Sequence, residues 1–220
     1  MKVALIGATG FVGAASLPEL LQRGHAVTAL ARHITKLDSR PGLSAAAVDV
    51  FDSESLAAAI RGHDVVVSAF NPGWNDAQLY ERFMQGSRAI VRGSVASGVS
   101  RLLVVGGAGS LFVAPGIQLV DTPEFIAHCP PNIVPGARAA RDALTDLRTH
   151  TQLDWTFVSP PAFLADGPRT GRYRVGGEEL LMAGDRPAGI SVADLAVAIV
   201  DEIEQPRHRR ARFTVASFPE

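Results

Sequence analysis

Residues 2–13 read Lys-Val-Ala-Leu-Ile-Gly-Ala-Thr-Gly-Phe-Val-Gly, and no other stretch restricts the fold as strongly. The apolar run 3–6 suits a strand buried on both faces, and it stops at Gly7. Glycine recurs at Gly10 and Gly13, where a helical pattern takes over. Strand, glycine turn and helix in that order open a βαβ unit of the dinucleotide-binding type. Gly7 allows the tight turn, Gly10 lets backbone approach a pyrophosphate, and Gly13 lets the helix lie close to the strand. Ala8, Thr9, Phe11 and Val12 complete a loop whose N–H groups, with the helix dipole, favour phosphate charge.

The alternation continues along the chain. A helix is expected over 11–23, with Phe11, Ala14, Leu17, Leu20 and Leu21 on its buried side and a kink at Pro18. Strands are expected at 26–31, 44–48, 64–68, 101–105 and 154–158. Helices are expected at 53–60, capped by Asp52, at 76–97 and at 138–150. Leu79, Phe83, Ile90, Val91 and Val95 form the buried stripe of the second. The stretch 111–136 is rich in proline without a period and reads as a long functional loop. A short strand at 173–175, a helix from the Ser191 capping box to Glu204 and a strand at 213–215 close the chain.

This order predicts an α/β fold: a Rossmann-like, doubly wound parallel sheet in a single domain spanning 1–220, with ligands at the carboxyl ends of the strands. Residues 160–190 are too few for a domain and are expected to form a small C-terminal lobe over the cofactor cleft.

Composition narrows the function. A formal net charge of −1 gives no electrostatic case for nucleic acid or an anionic membrane. Apolar stretches fall short of a membrane span and the N-terminus lacks a signal-peptide layout, so a cytoplasmic location is expected. Cys129 is the only cysteine, which excludes an internal disulfide, and His128-Cys129 lacks partners for a metal site.

Several segments together resemble the atypical short-chain dehydrogenase/reductase group, and within it the NAD(P)H-binding NADH-flavin reductases of the biliverdin reductase B kind. They are residues 7–13, Val-Asp-Val-Phe-Asp at 48–52, Gly-Gly-Ala-Gly-Ser-Leu at 106–111 with Gln-Leu-Val-Asp-Thr-Pro at 118–123, and residues 153–166 and 191–204. The resemblance implies one Rossmann-like domain that binds NAD(P)H and passes hydride to a flavin such as FMN, a quinone or a similar small-molecule acceptor. The flavin would then be a substrate and not a tightly held cofactor. A monomer or a homodimer is expected.

Individual residues sharpen this picture. Arg32 ends the second strand, where an acid would select NADH and an arginine accommodates the 2′-phosphate of NADPH; no acid stands at 30–33, and His33 adds a donor. NADPH is therefore favoured, with NADH as the other candidate. By resemblance Asp49 and Val50 meet the adenine, although Asp49 could equally be a turn residue. Ser68, Ala69 and Phe70 are expected along the cofactor ribose and diphosphate, through backbone contact. Trp74 could stack on the nicotinamide or acceptor, or anchor its loop. Gly107 and Ala108 lie at the end of the fifth strand, and Ser110 could donate to the acceptor's carbonyl or the nicotinamide carboxamide, or simply cap a turn. By resemblance Pro160, Pro161, Ala162 and Phe163 wall the nicotinamide pocket, with Trp74, Ser110 and Phe163 toward the acceptor. Arg169, Arg172 and Arg174 are either exposed or facing an anionic acceptor.

The chain departs from the wider group at its acid. The usual Tyr-x-x-x-Lys pair is missing: both lysines, Lys2 and Lys36, are N-terminal, and the tyrosines are Tyr80 and Tyr173. Ordinary alcohol–ketone chemistry is therefore not expected. A flavin or quinone stabilises its own negative charge and suits a site that mainly positions. A non-catalytic NADPH sensor is the alternative, ahead of a nucleotide-sugar epimerase or dehydratase.

Overall fold

A computed structural model describes residues 1–219, the Lys36 side chain apart. The elements run β1 (Lys2–Ile6), α1 (Phe11–Gln22), β2 (Ala26–Ala31), β3 (Leu43–Ala47), α2 (Ser53–Ile60), β4 (Val65–Ser68), α3 (Leu79–Ser97) and β5 (Arg101–Val105). There follow β6 (Phe112–Ala114), β7 (Ile117–Gln118), α4 (Pro123–His128), α5 (Val134–Leu147), β8 (Asp154–Ser159), β9 (Phe163–Ala165) and β10 (Arg174–Gly176). The last are β11 (Met182–Ala183), β12 (Arg186–Pro187), β13 (Gly189–Ser191), α6 (Val192–Glu204) and β14 (Ala211–Ala216).

One eight-stranded sheet runs in the order β10-β14-β8-β5-β4-β1-β2-β3, parallel except for β10, which pairs antiparallel with β14. The order reverses between β1 and β4, the crevice where doubly wound sheets hold ligands. Val3 and Leu5 join Val27, Val67 and Leu103 in a core beneath α1 and α6. Ala4 and Ile6 join Val66, Leu102 and Phe157 in a core beneath α2, α3 and α5. The central strands read as unbroken apolar runs because both faces are covered.

The buried side of α1 differs from expectation. Phe11 and Ala14 are exposed, and Leu17 and Leu20 share the buried face with Ser16 and Glu19. A carboxylate is tolerated there because Arg23 and Arg169 bind it: Arg169 donates from Nε and Nη2 at 2.6 and 2.9 Å. On α3, Val95 is exposed while the rest of its expected stripe is buried. The helix starts at Leu79 and not at 76, because Asp76 accepts from the Gln78 N–H in a preceding turn.

The stretch read as a loop is structured. It holds the β6–β7 hairpin, then α4, opened by Thr122 as cap and Pro123 in the first turn, and α5 begins at Val134, four residues before the expected start. Pro123 and Pro135 sit where a helix has no N–H to lose, so proline there marks helix starts. Between 160 and 190, β9 pairs parallel with β13, β11 pairs with β12, and β10 extends the main sheet. Asp194 on α6 accepts from the Thr170 and Gly171 N–H groups and the Thr170 hydroxyl, fixing the strap between β9 and β10.

Arg169, and then Arg23, hold the Glu19 carboxyl below the ordinary carboxylate range despite burial, which alone would raise it. The stabilisation this represents is complete above the unfolded glutamate pKa, about 4.5, and is lost as pH falls through the lower folded value. Glu19→Gln should therefore lower Tm at pH 7, and its deficit against wild type should shrink as the pH is taken below 4.5. Thermal melts across pH 3–7 measure this.

Candidate functional site

The carboxyl ends of β1 to β5 and β8 face one way, and the glycine turn lies at their centre. Gly7 has φ +77°, and a Cβ there would sit 2.5 Å from the Ala69 carbonyl oxygen. A Cβ on Gly13 would sit 2.1 Å from the Gly7 oxygen. The turn, the loop after β4 and the first turn of α1 thus touch backbone to backbone. Gly10 is the N-cap residue, with no side-chain cap and no acid in the first turn, and the Gly10 carbonyl accepts first from Ala14. The N–H groups of Phe11, Val12 and Gly13 are consequently free of helical partners, in a positive and uncapped terminus. Thr9, Gly10 and Phe11 are exposed, and Ala8 and Gly13 buried, with Val12 between. An uncapped terminus of this kind fits a diphosphate.

The side expected to meet the adenosine is also open. Arg32 and His33 are exposed at the end of β2, and Arg32 forms no ion pair among the described residues. Asp49 is exposed, and its Oδ1 accepts the Phe51 N–H at 3.1 Å, so it does serve a turn, with Oδ2 remaining. Val50 is buried beside it. Asp52 caps α2 by accepting from the Glu54 and Ser55 N–H groups. Ser68 is buried; the Phe70 ring packs on Gly86 and edge-on to Phe51, with centroids 6.1 Å apart, leaving its backbone toward the turn.

On the other side of the crevice, Trp74 is half exposed and its ring lies against Gly136 of α5. Gly107 and Ala108 are half-buried. Ser110 is buried at 1% exposure. Its hydroxyl accepts from Arg212 Nη1 at 3.2 Å and lies 3.4 Å from both the Ser159 hydroxyl and the Gly107 carbonyl, so the structure places it behind the loop and not on its open side. Pro160 and Pro161 are buried, Ala162 less so, and Phe163 is 60% exposed.

The three arginines considered for an anionic acceptor are otherwise engaged. Arg169 binds Glu19, Arg174 donates to the Ser217 and Met182 carbonyls, and Arg172 lies over the Phe218 ring. Sequence reasoning missed Arg212, whose side chain is fully buried between Ser110 and Glu178. An arginine inside the apolar last strand was its available signal. Depressions of about 470 Å³ on α3 and 240 Å³ beside α6 include no residue of the glycine turn. No cluster of metal-ligating side chains occurs among the described residues, and none of their helices is long and apolar enough to cross a membrane.

Fold and turn define a Rossmann-type dinucleotide-binding protein. A family model described as NAD(P)H-binding matches residues 7–206, and the chain belongs to that family, of oxidoreductase type within the atypical short-chain dehydrogenase/reductase group. It is 39% identical to YwnB of Bacillus subtilis over the whole of both chains. Among solved structures, a candidate epimerase of Bacteroides thetaiotaomicron is 39% identical with TM-score 0.91, covering 100% of this chain and 98% of that one. A Burkholderia pseudomallei protein described as a candidate exported protein is 44% identical with TM-score 0.86, covering 98% and 99%. A candidate NADH-flavin reductase of Streptococcus pneumoniae is 35% identical with TM-score 0.83, covering 99% and 100%.

Gly13→Ala forces its methyl into the Gly7 carbonyl and must push α1 off β1. We expect a loss of about 1–3 kcal/mol in stability and at least tenfold weaker nicotinamide binding. Denaturant melts and a fluorescence titration with NADPH measure the two.

Proposed function

We propose that the protein is an NADPH-dependent reductase that delivers hydride to a flavin, a quinone or a similar acceptor able to hold its own negative charge. The observation that carries this is the engagement of both tyrosines. The Tyr80 hydroxyl donates to Asp142 at 2.7 Å, and Tyr173 donates to Asp201 at 2.5 Å. The Asp142 hydrogen bond pushes the Tyr80 pKa up, and burial, then Asp201, pushes that of Tyr173 up further. Neither is suited to give a proton to a substrate near neutral pH, and no lysine lies beyond residue 36. The same lack counts against epimerase or dehydratase chemistry.

When bound, the nicotinamide supplies the hydride. The chain's residues bind and orient: the free N–H groups of α1 take the diphosphate, and Arg32 with His33 takes the 2′-phosphate. Asp49 Oδ2 and Val50 take the adenine, and the backbone of Ser68, Ala69 and Phe70 follows the ribose. Gly107, Ala108, Pro160, Pro161 and Ala162 frame the nicotinamide, with Phe163 and Trp74 presenting exposed rings to a flat acceptor. Protons come from water. The lone cysteine suits a reducing cytoplasm, which we include in the proposal.

The assay mixes pure protein with NADPH and, in turn, FMN, riboflavin and a small quinone, following loss of nicotinamide absorbance. Turnover is expected with at least one; tight NADPH binding without any turnover would establish the sensor instead. Arg32→Ala should weaken NADPH roughly tenfold, the loss of about one charge-assisted contact, and leave NADH within about twofold. Equal, unchanged affinities for the two nucleotides would remove the Arg32 assignment.

A further inference from the structure

Arg212 stands on β14 with its side chain fully buried, and its guanidinium joins two segments distant in sequence. Nη1 donates to the Ser110 carbonyl at 2.9 Å and to its hydroxyl at 3.2 Å, while Nη2 donates to the Glu178 carbonyl at 2.9 Å and to its carboxylate. Ser110 ends the loop that begins at Gly106, the loop that the proposed function sets beside the nicotinamide. Glu178 belongs to the 160–190 region, and Arg148, the C-cap residue of α5, grips the same carboxylate with Nη2 2.8 Å from each oxygen. Two backbone bonds run beside this contact, from the Phe112 N–H to the Glu178 carbonyl and from the Leu180 N–H to the Phe112 carbonyl, each at 2.9 Å.

Burying a guanidinium carries a large desolvation cost. Apolar residues of similar volume often replace a buried pair without loss of stability, so stability alone does not account for this one. A planar fork that reaches two partners at once gives geometry: it fixes the distance and angle between the segments it spans. Arg212 Nε has no hydrogen-bond partner among the described residues, so the group is committed wholly through its two Nη atoms.

We propose that Arg212 is a positioning residue for the hydride-donor side of the site: it fixes the Gly106–Ser110 loop, which the proposed function sets beside the nicotinamide, to the 174–182 segment. This rests on the reductase reading above. It assigns Ser110 to the same rivet, since its buried hydroxyl and carbonyl both receive the guanidinium. Hydride transfer depends steeply on where the nicotinamide is held, and a misplacement of about 1 Å can cost roughly a hundredfold.

The test compares wild type with Arg212→Lys and Arg212→Met. Lysine keeps the charge but, with one ammonium, cannot bridge both segments; it also carries the test should the methionine variant fail to fold. Three readouts are used: the Kd for NADPH, kcat and KM for the best acceptor, and hydrogen exchange by mass spectrometry. In both variants exchange should accelerate in peptides covering 106–120 and 174–182 but not in residues 1–31. The kcat should fall at least tenfold while the NADPH Kd stays within about twofold, a split that general loosening of the fold would not produce. Glu178→Gln should lower kcat in the same direction and add little on top of Arg212→Lys, as partners in one contact do. Unchanged exchange in the two segments, or NADPH affinity falling in step with kcat, overturns the proposal. If wild type turns over no acceptor, the reductase reading fails by itself and exchange decides whether the rivet exists: unchanged protection overturns it, and a selective loss in the two segments sustains it.

Discussion

The structure depends on a backbone contact in which no side chain takes part. Gly7, Gly13 and the Ala69 carbonyl meet at distances that leave no room for a Cβ on either glycine. That contact puts α1 directly over the end of β1 and brings the loop after β4 against the same turn. Everything else about the crevice follows from it. The N–H groups of α1 can face a phosphate only because the helix starts at the mouth of the sheet, and strand order reverses between β1 and β4, opening the gap there. A methyl group at either position would separate elements that the rest of the sequence has brought together.

Around this apolar, backbone-built centre the chain places its charges as ties. Glu19 on α1 is bonded to Arg169 of the 160–190 region, Asp194 on α6 holds Thr170 and Gly171, and Arg212 on β14 holds Glu178. In each case one partner is anchored in a helix or strand of the main fold and the other in the short-stranded region beyond 160. That region has little apolar core of its own: β9, β11, β12 and β13 are two or three residues each. Its position is set by the pairing of β10 with β14, by Leu164, Tyr173 and Ile190 packing on the core beneath α1 and α6, and by directed hydrogen bonds to buried charges, which fix angles as well as distances.

The fold was legible because its signals are local and repeated. Apolar runs bounded by glycine gave β1, β2, β4, β5 and β8 nearly to the residue, and Asp52 and Ser191 announced α2 and α6 through capping chemistry that needs no tertiary context. The stretch 111–136 shows no period, so its short helices are not legible in it; Pro123 and Pro135 occupy first turns, where their missing N–H is harmless. On α1 the hydrophobic stripe misplaced the buried face, since Glu19 is buried by partners at 23 and 169 that no periodicity shows. The site was half legible: residues bound by backbone geometry lie where the glycine pattern puts them. Arg212 escaped because its role is defined by Ser110 and Glu178, residues 102 and 34 positions away.

The chemistry allowed by such a site is bounded by what its polar groups already do. Tyr80, Tyr173, Ser110 and Arg212 are all engaged in internal hydrogen bonds, whereas among the described residues Arg32, His33 and Thr9 are exposed and one oxygen of Asp49 carries no bond. These groups lie on the side proposed for the adenosine and phosphates. Those on the other side are rings and small apolar residues: Trp74, Ala108, Ala162 and Phe163. On the function proposed above, a site polar along the nucleotide and apolar along the acceptor can orient two flat rings, but it offers a developing negative charge little to bind to. Under that proposal the burden of stabilising the charge falls on the acceptor, and an isoalloxazine or a quinone is built to carry it, whereas a simple ketone is not.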